Sequence, residues 1–290
     1  MDCTCIATAL LFLGSNLARV IERTRLWKSG AVHYDDYKEL DPTYLEELWQ
    51  ERAKDNWLHM AIGFIYAIAW LLLCVPLLQF AWIQSQHGKR QMGLHSLLIA
   101  LALGGSISEM MARLMLVGLN STAHWIATSF NLDSWTTEGD DKIGWRVLEM
   151  VHLMTSGLIL WIDAFEWLAL FGIFVLMFVS VWSMKGSLVY CPFGRKWACF
   201  GLFIGVLCLV DFAADIARFV SWRTFEKVAL TISIFNSVLF IPLWLLELAR
   251  QLPKARAGTE DLFRDQDNST EDPPTDEYGN VVQIEAREVD

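Results

Sequence analysis

The chain has 290 residues, of which 54% are hydrophobic and only 19% charged, with a formal net charge of −10. Soluble domains carry roughly 25% charged residues, and the positive mean hydropathy of 0.34 points away from one. About a third of the acids follow Gly258 and the basic residues collect near the ends of apolar runs, so the balance argues against nucleic-acid binding.

Several stretches of roughly 20 residues are almost wholly apolar, enough to cross a hydrocarbon core of about 30 Å. Backbone groups in lipid must be satisfied internally, so such runs are helices. Alternating ten-residue segments of the barrel type do not occur. The expected fold class is therefore all-α: a polytopic helical membrane bundle (residues 1–250) followed by an acidic, disordered tail (251–290).

In chain order, the first apolar segment covers about 3–18. It has the length of a signal-peptide core, but Asp2 precedes it without any Lys or Arg, and Asn16-Leu17-Ala18 is a poor cleavage site. It reads as a retained helix, marginal as a span. Cys3 and Cys5 stand at its start as weak candidates for reversible acylation. From Arg19 to Asn56 the chain reads as a polar loop. Within it, Asp41-Pro42-Thr43 opens an amphipathic helix with Leu45, Leu48 and Trp49 opposite Glu46, Glu47 and Glu51, expected to lie in the membrane interface.

The second segment, 57–83, has Trp57 and Trp82 in headgroup-belt positions and Pro76 as a predicted kink. The third is 94–119, in which Gly104 and Gly105 suggest close helix packing. Asn120-Ser121-Thr122 after it matches a glycosylation acceptor, too near the membrane to be used.

The stretch 145–184 is ambiguous. One helix of about 40 residues would measure about 60 Å, so either it projects beyond the bilayer or it breaks into two short spans near Asp163. Glu149, His152, Ser156, Asp163 and Glu166 share one heptad stripe across the supposed break, which favours a single helix. Segments at 197–222 and 228–249 complete the set. Helix continuity gives six spans. Basic residues flanking the spans favour seven, with the N-terminus outside. Either count can place the tail in the cytoplasm.

Ionisable residues inside the spans are the informative feature, because each costs about 2.5–3.5 kcal/mol on insertion scales and should face a partner. Glu109 and Arg113 have the i, i+4 spacing of an ion pair. Asp211, Asp215 and Arg218 line one face of the fifth segment, Asp163 and Glu166 sit mid-helix in the fourth, and Asn236 lies in the sixth. Only Arg113 and Arg218 are available as basic partners at that depth. At least two carboxylates are thus expected to be neutralised by a proton or a bound cation, which is what a proton or ion path needs.

These residues predict a proton- or cation-linked transporter or channel acting on an ion or small polar ligand in the bilayer. The alternative is a non-catalytic scaffold or assembly protein, its buried charges holding the bundle together and its acidic tail meeting a protein partner. A receptor-like protein is a third reading, tied to seven spans. No cofactor can be named. His59, His95 and His152 lie in or beside spans; His95 has no histidine partner at its end of the bundle to make the facing pair a haem requires, so His95 and His59 are expected at the membrane interface, and no HExxH, GxSxG or phosphate-binding glycine loop occurs.

Overall fold

The computed structural model describes residues 2–28, 56–87, 92–129, 143–183, 192–217 and 222–270. The described elements are α1 (Cys3–Lys28), α2 (Asn56–His87), α3 (Met92–Ser129), α4 (Ile143–Ser183), α5 (Arg195–Ala217), α6 (Trp222–Phe235), a π-helical turn (Asn236–Phe240) and α7 (Ile241–Thr270). The last three form one rod. Six of the resulting helices are long and apolar enough to cross a membrane. The expected interfacial helix at 41–51 lies outside the described residues.

α4 is a single helix of 41 residues, so no turn occurs at Asp163. Its sequence stripe faces inward, with Glu149, His152 and Glu166 buried, while Met150, Met154, Leu158, Trp161 and Phe165 are exposed at spacings of three and four. An apolar outer stripe with polar residues inside is the arrangement lipid requires. The two ends of the bundle's sequence meet: the Asp2 amide donates to the Ala249 carbonyl at 2.7 Å, and the Asp2 carboxylate pairs with Arg256 at 3.0 Å. An even number of crossings brings both ends to one side, as six does. Seven would separate them. Asp2 also caps α1, accepting from the Cys5 amide at 3.0 Å.

Two sequence boundaries move. α1 does not stop at residue 18 but continues to Lys28, so Arg19 belongs to the bundle rather than to a loop. The final helix does not end near residue 250; it runs to Thr270 with Pro253 inside it, and Leu252 and Ala255 are fully buried. Composition drew the tail too early, because burial against α1 supplies what the segment's own polarity lacks. Residues 271–290 lie outside the described residues. Truncation after Thr270 is expected to leave thermal stability in detergent nearly unchanged, whereas truncation after Arg250 removes two buried side chains and the Asp2–Arg256 pair. Equal melting temperatures for the two truncations would show that this docking contributes nothing.

Neighbouring helices pack in chain order, and α1 closes the bundle against α2 and α7. Small residues set the close approaches. A Cβ on Gly105 would lie 3.1 Å from Ala169, and one on Gly205 would lie 2.9 Å from the Phe174 Cβ. Gly104, paired with Gly105 in the sequence reading, faces open space. At one end an aromatic layer joins four segments: Phe80 on α2 meets Phe193 at 4.6 Å, Phe193 meets Trp197 on α5 at 5.7 Å, and Trp197 stacks on Trp244 of α7 at 4.8 Å. Pro76 lies inside α2, which is helical on both sides of it. The π-turn ends two residues before Pro242, and there the Ile241 amide reaches back to the Asn236 carbonyl. The proline ring conflicts with the carbonyl four residues earlier, and the wider turn relieves it.

Candidate functional site

Helical spacing alone places Glu109 and Arg113 on one face of α3, and they form an ion pair. The second guanidinium arm crosses to α4 and bonds Asp163 at 3.1 Å. Glu166, one turn along α4, completes the group: carboxylate oxygens of Glu109, Asp163 and Glu166 lie within 4.8 Å of one another. Glu109 is 0% and Glu166 1% exposed, while the Asp163 side chain retains 17%. Asp163 is thus the open edge of the cluster and Glu166 its interior.

Two partners escaped the sequence reading. Tyr66 on α2 lies under the Arg113 guanidinium, 4.8 Å from ring centroid to carbon. Arg19 lies over the same ring at 4.7 Å. Such contacts attract a cation to the ring face. Arg19 also sits within electrostatic reach of Glu109 and Asp163, so the tally of basic partners at this depth rises. The signal was present in the length of α1: had its helix been extended by one turn, Arg19 would have fallen inside the span. Tyr66 carried no sequence signal beyond its type. Among the described residues the cluster therefore sets three carboxylates against two guanidiniums, one negative charge in excess.

Asp211, Asp215 and Asn236 are buried as expected, but they do not join this group. They lie on α5 and at the start of the π-turn, where the Asn236 amide approaches the Cys208 thiol at 3.8 Å. Cys208 is within electrostatic reach of both Asp211 and Glu166, and so stands between the two polar regions. Arg218 lies outside the described residues.

His95 lies in the first turn of α3. It is buried and bonds the Ser180 hydroxyl at 3.0 Å, beside Gln84, whose amide donates to the Ser180 carbonyl at 3.4 Å. This ties α2, α3 and α4 far from the carboxylates. Of the acylation candidates, Cys3 is exposed and Cys5 buried, with the Cys5 thiol 3.9 Å from the Gln79 side-chain oxygen. Only Cys3 is placed to be modified. Asn120-Ser121-Thr122 falls within the helical span of α3.

A cavity of about 10 Å³ between α2, α3 and α4 touches the cluster. Its lining is apolar, with Trp70, Leu73 and Ile173 among it, except for Glu166 and Ser106. That is at the threshold for one water, which needs roughly 10–15 Å³ and polar partners. No protein-family model matches the chain, and no curated protein or solved structure matches it.

Proposed function

We propose that this multi-pass membrane protein is a proton- or cation-linked transporter or channel for an ion or small polar solute, with the Glu109–Arg113–Asp163–Glu166 cluster as its coupling site. The observation that carries the reading is the excess carboxylate: among the described residues three acids converge in a buried region where Arg113 pairs with two of them and Arg19 is the only further cation within reach. A lone charge in low dielectric is held only if something neutral or positive joins it. The open edge at Asp163 offers the entrance and Glu166 the interior position. With the tail in the cytoplasm, the N-terminus joins it there, because Asp2 pairs with Arg256.

Vesicles reconstituted with the full chain and a trapped pH dye test this. Wild type is expected to pass protons or an added alkali cation down an imposed gradient. Asp163→Asn and Glu166→Gln are expected to fold and to lose at least tenfold in rate. No flux from wild type, or undiminished flux from both variants, would sink the reading.

The small cavity favours a second reading, a scaffold whose cluster only ties α1, α2, α3 and α4 together, with the acidic tail as a contact for a protein partner. On that reading wild type is inert in vesicles and the variants differ only in stability. The receptor-like alternative was tied to seven spans, and six helices here are long and apolar enough to cross a membrane.

A further inference from the structure

We infer that Glu166 is a proton-binding site, its carboxylic acid donating an O–H hydrogen bond to the Glu109 carboxylate. The first support is geometric. Carboxylate oxygens of the two residues lie within 4.8 Å, and both side chains are fully enclosed. The second is the absence of any other partner among the described residues. Arg113 is committed to Glu109 and Asp163, and neither Glu166 oxygen has a hydrogen bond from a described residue. The third is that Glu166 points at the small cavity shared with Ser106, so a proton has a place to arrive from or leave to.

The groups facing Glu166 leave the ligand little choice. α2 presents Tyr66, α3 presents Glu109 and Arg113, α4 adds Asp163, and α5 presents Cys208. A hard metal cation takes about six or more oxygen ligands. Here one arginine already holds two of the three carboxylates, and its positive charge would stand against any bound metal. A proton needs one oxygen and one acceptor, and both are present. It binds as Glu166 carboxylate plus H⁺ gives Glu166 carboxylic acid, and the cluster's charge balance closes. As the coupling ion of the proposed transport this proton rests on that reading; as a bound proton it is tested without flux.

The experiment is infrared difference spectroscopy on the full chain in detergent, in H₂O and D₂O. Wild type is expected to show the carbonyl-stretch band of a protonated carboxylic acid at neutral pH, shifted in D₂O and lost on raising pH. Glu166→Gln should lack it, and Asp163→Asn should retain it. Titration of wild type with sodium, calcium or zinc chloride should leave the melting temperature unchanged. No carboxylic-acid band in wild type would overturn the inference, whether or not Glu166→Gln folds. So would a band that survives Glu166→Gln, or saturable stabilisation by a metal that this variant abolishes. A band without flux in vesicles would leave the proton on Glu166 and remove the transport reading.

Discussion

Replacing Arg113 with leucine is expected to cost about 3–5 kcal/mol of stability, the usual loss when one partner of a buried ion pair is removed. The substitution strands Glu109 and Asp163 together, since one guanidinium serves both, and it takes the second cation off the Tyr66 ring. The order of compensated variants is the sharper part. Arg113→Leu with Glu109→Leu should recover some of the loss, but Asp163 remains exposed to the same vacancy of charge. Adding Asp163→Asn should recover most of the remainder. Arg113→Lys should fall between wild type and the single leucine variant, because an ammonium cannot span two carboxylates as the planar guanidinium does. Equilibrium unfolding in mixed micelles gives the ranking. A double variant as stable as wild type would mean that Asp163 does not depend on Arg113.

Trp70→Ala is the second large effect, expected to cost roughly 3–5 kcal/mol as a buried aromatic truncation. Trp70 is almost fully buried and joins three helices: Phe12 of α1 at 4.8 Å, Tyr66 on its own α2 at 6.2 Å and Trp167 of α4 at 6.3 Å. In lipid the transfer from water contributes little to helix association, so the loss comes from forfeited dispersion contacts. It also removes the floor beneath Tyr66 and enlarges the cavity beside Glu166. Trp70→Phe should cost far less. It keeps a ring, and the indole N–H that it deletes has no hydrogen-bond partner among the described residues. Unfolding in mixed micelles decides again: a loss under about 1 kcal/mol for the alanine variant would place the packing energy elsewhere.

Much of this architecture was legible along the chain. Apolar length and the inability of lipid to hydrogen-bond a backbone determined that the segments are helices. The heptad stripe in α4 determined which face turns inward, and the i, i+4 spacing determined that Glu109 meets Arg113. These are properties of a single helix, and local geometry is enough to read them. Element ends were less legible. Composition placed Arg19 in a loop and began the tail at residue 251, although the helix runs on to Thr270, because a polar residue is read as solvated until something is packed against it.

Which helix meets which is a property of the whole bundle, and only the tertiary structure decided it. Six and seven spans were both consistent with the sequence, because flanking charge and helix continuity are separate local signals that disagreed. α4 running unbroken through Asp163 leaves six long apolar helices, and the Asp2–Arg256 pair joins residues near opposite ends of the described chain. The same holds for the cluster. The sequence determined that carboxylates in the spans outnumber their basic partners. The fold decided that Asp163 and Glu166 converge on Glu109 while Asp211 does not join them, and that Arg19 and Tyr66 complete the group. Side chains on different helices come together through the rotation and depth of each helix, and those are set by close approaches such as Gly105 on Ala169, which no single segment encodes.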